Sequence, residues 1–372
     1  MKNRYKKIAE EILELADVKI NGSNPWDIQV HNDNFYQRAI TEGELGMGES
    51  YMADWWDAEK VDELIFRILR AKLDEKIQRK FSILIRLIPA ALLNLQSRRR
   101  AFIVGEKHYD LGNDLFQHML DKRMNYSCAY WKDAQNLDEA QENKLELICR
   151  KLYLKPGMRV LDIGCGWGAF GKYAAEKYHV EVVGITVSKE QVEHGRKLCQ
   201  GLPVEFRLLD YRGLNEKFDR IVSVGMIEHV GYKNHRTFFE VANRCLNDDG
   251  LFLLHTIGNI KSVNSLSLFE HKYIFPNGMV PSIAQIGKAI EHLFVMEDWH
   301  SFGTDYYKTL LAWFNNFDKN WVKISSKYPC HFYRMWKYYL LSAAGGFKAV
   351  RNQLWQIVLS KNGVLEGYRF VR

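Results

Sequence analysis

The feature that most constrains the fold is a strand, a glycine-rich loop and a helix in direct succession, RVLDIGCGWGAFGKYAAEKY, at residues 159–178. An apolar run typical of a buried strand ends in glycines at alternate positions, Gly164, Gly166 and Gly168. Glycines at such a turn let the backbone approach a ligand closely. The spacing departs from the dinucleotide fingerprint G-x-G-x-x-G. No Gly-Lys-Ser or Gly-Lys-Thr follows, which argues against a phosphate-binding P-loop.

Strand and helix patterns alternate from about residue 155 onward. The predicted strands are 159–164, 181–187, 204–210, 218–226 and 251–258. This alternation implies βαβ units and a parallel sheet. Two later strand candidates, 294–299 and 354–360, are predicted to close one edge as an antiparallel pair. Between them and the fifth strand lies a predicted insertion, about 259–292, which is interpreted as a lid over a pocket.

The first part of the chain differs from this pattern. Helical spacing at IAEEILELA (8–16) and VDELIFRILRAKL (61–73) predicts a small, mostly helical domain. The sequence therefore predicts a first domain at 1–95, a linker at about 96–104 and a second domain at 96–372. A length of 372 residues suits two domains.

The positive charge is concentrated in one segment. The chain carries a net charge of +7, whereas residues 67–100 alone carry +8. An apolar run, FSILIRLIPAALLNL at 81–95, is interleaved with these charges and is too short to span a bilayer. Two interpretations stay open: a segment suited to an anionic membrane interface, and an ordinary helix pair with a solvated charged face. Nucleic-acid binding is not predicted, because no recognised motif accompanies the charge.

The cysteines and the N-terminus bear on metal binding and on the compartment. None of the six cysteines forms a C-x-x-C pair, so neither a metal site nor a disulfide framework is predicted. The N-terminal stretch MKNRYKKIAEEILELADVKI carries charges throughout and lacks the apolar core of a signal peptide. We therefore expect a reducing, cytoplasmic compartment.

The glycine loop follows a strand that contains Asp162, and together they resemble motif I of the seven-stranded S-adenosylmethionine-dependent methyltransferases. A Rossmann dehydrogenase is the main rival. Against the dehydrogenase, the second strand ends in GITVSKEQ, with no acidic residue where an adenosine ribose is usually bound. The same absence departs from many methyltransferases. Thr186 and Gln191 would then bind the ribose by neutral hydrogen bonds.

Five motifs together identify a narrower resemblance. YSCAYW, LDIGCGWG, GITVSKEQ, DRIVSVGMIEHVG and LLHTIG resemble those of the cyclopropane-fatty-acyl-phospholipid synthases, of which the mycolic acid cyclopropane synthases are shorter relatives. The N-terminal stretches INGSNPWDI and GMGESYMADWW match the phospholipid branch. The resemblance implies an α/β class I methyltransferase fold, with a Rossmann-like seven-stranded sheet and a small, mostly helical N-terminal domain. It implies that the domain at 1–95 associates with lipid or membrane and that the domain at 96–372 is catalytic.

The resemblance also implies a reaction. A methylene from S-adenosylmethionine is added across a cis double bond of an unsaturated acyl chain in a membrane phospholipid, with bound bicarbonate as the base. It implies a cytoplasmic homodimer, peripheral on the inner face of the cytoplasmic membrane. Two alternatives stay open: a fatty-acyl C-methyltransferase that stops at a methyl branch, and a non-catalytic lipid-binding protein on the same fold.

The implied catalytic residues come from the ends of predicted strands and from one preceding motif. Glu228 follows the fourth strand and His255 lies near the end of the fifth, so both should meet at the carboxyl edge of the sheet. By resemblance, bicarbonate is surrounded by Cys128, Glu228, His255, Tyr306 and the backbone of Ile257. His229 is interpreted as an ordinary core histidine. The implied cofactor-binding residues are Tyr126, Ser127, Asp162, Gly164, Cys165, Gly166, Trp167, Gly168, Thr186, Gln191, Asp210 and Tyr211.

Overall fold

The computed structural model describes residues 2–73 and 112–372 and divides them into two compact units. The first unit holds 2–73 together with Leu266–Pro276 and Tyr306–Asn352. The second holds 112–265, 277–305 and 353–372. This division differs from a single cut near residue 95, because two later segments belong to the first unit. The predicted linker, about 96–104, lies outside the described residues.

The helices and strands are numbered along the described chain. The helices are α1 (Lys2–Glu14), α2 (Asn34–Met52), α3 (Val61–Arg70), α4 (Asn113–Met119), α5 (Leu137–Lys151), α6 (Ala169–Tyr178), α7 (Lys189–Leu198), α8 (His235–Cys245), α9 (Leu268–Tyr273), α10 (Ile283–Ile290), α11 (Thr304–Ile324) and α12 (Phe332–Lys348). The strands are β1 (Gln29–Val30), β2 (Trp56–Asp57), β3 (Arg159–Ile163), β4 (Glu181–Thr186), β5 (Val204–Leu208), β6 (Phe218–Val224), β7 (Leu246–Asn259), β8 (Val295–Ser301) and β9 (Asn352–Ser360).

The first unit is mostly helical, and aromatic side chains fill its core. The Tyr51 and Trp56 rings meet edge to face with centroids 5.0 Å apart, and Tyr338 of α12 packs against both. Helix α12 approaches α3 closely at Gly345, where a Cβ atom would lie 2.6 Å from the carbonyl oxygen of Asp62. Only glycine permits this approach of the two backbones.

The second unit is built on a seven-stranded sheet in the order β5-β4-β3-β6-β7-β9-β8. The pairs β3–β4, β3–β6, β4–β5 and β6–β7 are parallel, whereas β8 and β9 are antiparallel. The predicted parallel sheet and its antiparallel edge pair are therefore confirmed. This is the class I methyltransferase fold.

Helices cover both faces of the sheet. The side chains of β3 alternate between the two faces and pack against a different helix on each. Val160 packs in a core cluster with Leu145 and Ile148 of α5, whereas Leu161 packs in another cluster with Phe238 of α8. Successive side chains of a strand point to opposite faces. Asp162 therefore points toward the face that α5 covers, which brings a carboxylate under that helix.

The predicted lid does not form a single element. Leu266–Pro276, which includes α9, belongs to the first unit. Helix α10 belongs to the second, where Ile286, Ala289 and Ile290 join the same core cluster as Phe238. The apolar face of α10 explains this burial, because that face must pack against another apolar surface. Within the described ranges, no helix is both long enough and apolar enough to cross a bilayer.

Candidate active site

A pocket opens at the carboxyl ends of β3, β4 and β6, and the glycine loop forms one wall. Gly164, Gly166 and Gly168 have φ values of 86°, 53° and 94°, which L-residues rarely adopt. A Cβ atom on Gly164 would lie 2.7 Å from Met226, whereas one on Gly166 would meet nothing within 4 Å. The chain therefore needs glycine at all three positions for its conformation. At Gly166 the absence of a side chain also leaves the backbone accessible to a ligand.

The residues predicted to bind the ribose lie at the end of β4 and in the first turn of α7. Thr186 Oγ1 donates a hydrogen bond to Gln191 Oε1 at 2.7 Å, and both buried side chains line the pocket. Ser188 caps helix α7 by accepting from the Gln191 backbone N–H at 3.3 Å. The loop is thus fixed by neutral hydrogen bonds, and no acidic side chain takes part in them.

The opposite wall comes from the segment after β5. Asp210 forms a two-oxygen ion pair with Arg212, with Nε at 2.8 Å from Oδ1 and the terminal nitrogen at 2.7 Å from Oδ2. Tyr211 packs edge to face on Phe238 at 5.5 Å. Its hydroxyl is buried and has no hydrogen-bond partner among the described residues. A buried, unpaired hydroxyl that lines a pocket is suited to a polar ligand atom.

The structure brings nearly all of the predicted cofactor residues to this one pocket. Gly168 is the exception, because it precedes α6 as its N-cap and does not line the cavity. The Cys165 side chain packs in a small cluster with Val192, Cys199 and Phe206. The lining residues among the predicted set are Tyr126, Ser127, Asp162, Gly164, Cys165, Gly166, Trp167, Thr186, Gln191, Asp210 and Tyr211.

Glu228 lies in a short 3-10 turn just after β6, between residues that line the pocket. Its Oε1 accepts a hydrogen bond from the Ile257 backbone N–H at 2.8 Å. Its Oε2 is buried and has no partner among the described residues. Burial raises the pKa of Glu228 to about 7, against the opposing effect of the Ile257 N–H. The Ile257 N–H was expected to face bicarbonate, but in this structure it holds the carboxylate of Glu228.

His255 lies on β7, where it pairs in register with the pocket-lining Val224. Its ring is 1% exposed, and Gln356 Nε2 lies 3.3 Å from its Nδ1. Its Nε2 has no partner among the described residues. Burial, then the charges of Lys144 and Lys151, hold the pKa of His255 well below its usual value. With the Gln356 amide donating to Nδ1, the neutral ring carries its proton on Nε2.

The remaining two predicted catalytic residues lie in different units. Cys128 is buried in the second unit, and its Sγ donates to the Ala129 carbonyl oxygen at 3.2 Å. Tyr306 belongs to the first unit, where its ring packs against Phe347 at 4.5 Å and Trp313 at 5.8 Å. The role of Tyr306 stays a prediction.

Sequence reasoning missed Lys144, a 1% exposed lysine of α5 that lines the pocket. Its ammonium donates to Asn125 Oδ1 at 2.9 Å and to Ser127 Oγ at 3.0 Å. Burial lowers the pKa of Lys144 to about 8 and raises that of Asp162 to about 7, while each group counteracts the shift of the other. Helical periodicity could have placed Lys144 on the apolar face of α5, since Leu145 and Ile148 lie beside it.

His229, which the sequence predicts to be an ordinary core histidine, and Asn113, to which it assigns no role, both contribute to the pocket region. His229 lines the pocket, and burial lowers its pKa to about 4. Asn113 Oδ1 accepts from Trp167 Nε1 at 3.0 Å, which fixes the indole of the glycine loop. The neighbouring residues His108, Tyr109 and Asp110 lie outside the described ranges.

Comparisons with known proteins agree with this geometry. The chain is 52% identical to the cyclopropane-fatty-acyl-phospholipid synthase of Escherichia coli strain K12, over 100% of this chain and 97% of that protein. The cyclopropane synthase MmaA2 from Mycobacterium tuberculosis superposes with a TM-score of 0.67 at 33% identity, over 72% of this chain and 100% of that one.

A second solved structure contains a bound product of the methyl donor. The mycolic acid cyclopropane synthase CmaA1, complexed with SAH and CTAB, superposes with a TM-score of 0.66 at 34% identity, over 70% of this chain and 98% of that one. The family model for mycolic acid cyclopropane synthetase matches residues 96–357. The chain therefore belongs to the mycolic acid cyclopropane synthetase family.

Proposed function

We propose that this enzyme adds a methylene from S-adenosylmethionine across a cis double bond of an acyl chain in a membrane phospholipid. The cofactor would supply an electrophilic methyl group, which a weakly nucleophilic alkene requires. Attack of the alkene on this methyl group would form a C–C bond, break the S–CH3 bond with release of S-adenosylhomocysteine, and leave a carbocation on the acyl chain. Loss of one proton from the added methyl group then closes the cyclopropane ring.

One observation carries the proposal. Beside a pocket with a methyltransferase glycine loop, the structure buries two polar atoms without partners among the described residues, Glu228 Oε2 and His255 Nε2. Leaving such atoms unpaired costs stability, roughly 1–3 kcal/mol each. Functional sites retain such costs because the groups are needed for a ligand or a reaction.

The two groups suit a small oxyanion. The neutral His255 ring offers an N–H donor at Nε2. Because burial raises the pKa of Glu228 to about 7, a large share of this carboxyl is protonated near neutral pH and can donate from Oε2. Bicarbonate held there would supply the base that accepts the proton from the added methyl group. The family resemblance also suggests roles for Cys128 and Tyr306, whereas the Ile257 N–H acts through Glu228, whose carboxyl group it holds.

The choice of a phospholipid acyl chain is supported by the E. coli relative, whose name includes that substrate and which matches over the full chain. CmaA1 was solved with CTAB, a molecule with a long alkyl tail, which supports an acyl chain as the substrate class.

The direct test uses S-adenosylmethionine labelled with ¹³C on its methyl group, together with vesicles of cis-unsaturated phosphatidylethanolamine. We expect the label in cyclopropane ring carbons, recognised by their proton NMR signals. Label in a methyl branch would favour the C-methyltransferase alternative. Label absent from the acyl chains, with S-adenosylmethionine bound, would favour a lipid-binding protein. Omitting bicarbonate from degassed buffer should slow turnover, and adding it back should restore the rate.

We also propose that the basic segment, 67–100, brings the enzyme to an anionic membrane surface. Among its described residues, Arg70 and Lys72 are exposed, whereas Arg67 is bound to Asp17 at 2.7 Å and stacks on Trp26. Arg98, Arg99 and Arg100 lie outside the described ranges. Each basic residue near an anionic surface contributes about 1 kcal/mol.

Replacing Arg98, Arg99 and Arg100 with Ala should therefore weaken binding to phosphatidylglycerol vesicles at least tenfold in a co-sedimentation assay at low salt. The matched control removes three exposed lysines from the α11 region, Lys319, Lys323 and Lys327, and should bind like the parent protein. An equal loss of vesicle binding in both triple variants would show that binding depends on net charge and not on the basic segment. The homodimer implied by the resemblance is a separate proposal, which light scattering of the purified protein tests.

A further inference from the structure

Lys144 is buried where lysines are rarely found. It is 1% exposed, it lies on α5, and it lines the pocket with Asp162, Ser127 and Asn125. Fully buried lysines are uncommon unless they are paired, because removing an ammonium group from water is costly. A second buried lysine on the same helix, Lys151, lies away from the pocket and contacts His300 Nδ1 at 3.0 Å and Asp298 at 3.6 Å. It provides a natural comparison.

The Lys144 ammonium holds the chain segment 125–127 from one side. It donates to the Asn125 side chain at 2.9 Å and to the Ser127 hydroxyl at 3.0 Å. Gln141, one turn earlier on α5, donates to the Ser127 carbonyl oxygen at 2.9 Å. Two side chains on one face of α5 therefore fix both the backbone and the side chain of Ser127.

Asp121 holds the same segment from the other side. Its Oδ1 accepts from the Asn125 backbone N–H at 2.7 Å, and its Oδ2 accepts from the Asn125 side-chain amide at 2.9 Å. Because that amide donates to Asp121, its oxygen is left to accept from Lys144. A continuous chain of buried hydrogen bonds thus runs from Asp121 through Asn125 and Lys144 to Ser127.

The charge of Lys144 also acts on both halves of the site. The charges of Asp121, Cys128 and Asp162 counteract the lowering of the Lys144 pKa by burial. Burial, followed by the charges of Lys144 and Lys151, lowers the pKa of His255. The ammonium therefore acts electrostatically on Asp162 of the glycine-loop strand and, with Lys151, on His255.

We propose that Lys144 is a positioning residue, which holds segment 125–127 in the conformation that binds S-adenosylmethionine and acts on the cofactor through Ser127. This inference rests on the proposed function, since it needs a cofactor in the pocket. Tyr126, the neighbour of Ser127, lines the same pocket.

The test compares Lys144→Met with Lys151→Met in the full-length protein, using S-adenosylhomocysteine binding by calorimetry and thermal melting. Both variants should lower the melting temperature, because each removes a buried, hydrogen-bonded ammonium. Only Lys144→Met should weaken binding, by at least tenfold. The KM for S-adenosylmethionine should rise by a similar factor, while kcat at saturating cofactor falls less than threefold. A merely structural role would not produce this split.

A double-variant cycle tests the route through Ser127. Ser127→Ala should weaken binding, and combining it with Lys144→Met should add little, because the two residues act through one contact. Multiplicative effects of the two substitutions would overturn this route. If Lys144→Met does not fold, Lys144→Gln, which keeps a donor but loses the charge, decides by the same binding measurement.

The outcomes separate this inference from the proposed function. Binding within twofold of the parent in the Lys144 variant, or an equal loss in Lys151→Met, would overturn the positioning role alone. Failure of the parent protein to bind S-adenosylhomocysteine at all would instead overturn the proposed function.

Discussion

The carboxylate of Glu228 is fixed by the backbone of Ile257, whose N–H donates to Oε1 at 2.8 Å. Ile257 lies two residues after His255 on β7, and Glu228 follows the neighbouring strand β6. One strand end therefore both presents the imidazole and orients the carboxyl group. The second carboxyl oxygen, Oε2, is left for chemistry at the site.

Replacing Glu228 with Gln keeps an oxygen that can accept from Ile257 but removes the titratable proton. We expect kcat to fall by about 100-fold or more, because the amide can still donate to bicarbonate but cannot accept a proton from it, and a proton transfer of this kind contributes about this much. Affinity for S-adenosylhomocysteine should stay within threefold, because the glycine loop and Ser127 are untouched. The exposed Glu240→Gln on α8 is the control. Normal turnover in Glu228→Gln would remove Glu228 from the proposed mechanism.

Glu228 also predicts how stability depends on pH. Its pKa is raised from 4.5 to about 7 in the folded protein, so between these values the folded state binds more protons than the unfolded state. Stability contributed by this group is therefore fully present below pH 4.5 and is lost as the pH rises through 7. Between pH 5 and pH 8 the free energy of unfolding should fall less in Glu228→Gln than in the parent protein. The difference between the two decreases should be on the order of 1–3 kcal/mol. Parallel pH curves for the two proteins would contradict the raised pKa.

The fold was predictable because its signals are local. The buried strand RVLDIG and the glycines after it determine a strand, a turn and a helix without reference to the rest of the chain. The parallel order then follows from the alternation of strands and helices. The division into units was less predictable. Leu266–Pro276 and Tyr306–Asn352 join the first unit through tertiary packing, which no local pattern encodes.

The site shows the same limit. The ends of β6 and β7 could be expected to bring Glu228 and His255 to one edge, because strand ends converge in a parallel sheet. Helical periodicity places Lys144 beside apolar residues but does not show that its side chain is buried, since a lysine within AQENKLELICRK also suits a solvated helix face. The burial of Lys144 can be inferred only from the tertiary structure. There the alternation of side chains along β3 places Asp162, like Val160, on the face of the sheet that α5 covers. The Asp210–Arg212 ion pair was missed for a similar reason, because it depends on side-chain orientation in a loop.

The hydrogen bond between Gln356 and His255 predicts one tautomer of the imidazole. With Gln356 Nε2 donating to Nδ1 at 3.3 Å, the neutral ring carries its proton on Nε2. Burial holds the pKa of His255 well below its usual value, so the ring should be neutral at pH 7 and above. Nitrogen-15 NMR of labelled histidine, with His255→Gln used for assignment, should show the Nε2–H form throughout. Gln356→Leu should lower turnover about tenfold by releasing the ring. A titrating signal, or an Nδ1–H pattern, would contradict this arrangement.

The final prediction concerns the Tyr211 hydroxyl, which is buried in the pocket wall and has no hydrogen-bond partner among the described residues. Burial raises the pKa of Tyr211 to about 12, so it remains a neutral donor at working pH. A hydrogen bond from this group to the cofactor would contribute about 1 kcal/mol. Tyr211→Phe should therefore weaken S-adenosylhomocysteine binding about fivefold, as measured by calorimetry, with the packing on Phe238 preserved. Tyr211→Ala should weaken binding further by removing the ring. If Tyr211→Phe binds as tightly as the parent while Tyr211→Ala does not, the ring contributes through packing and the hydroxyl makes no bond to the cofactor.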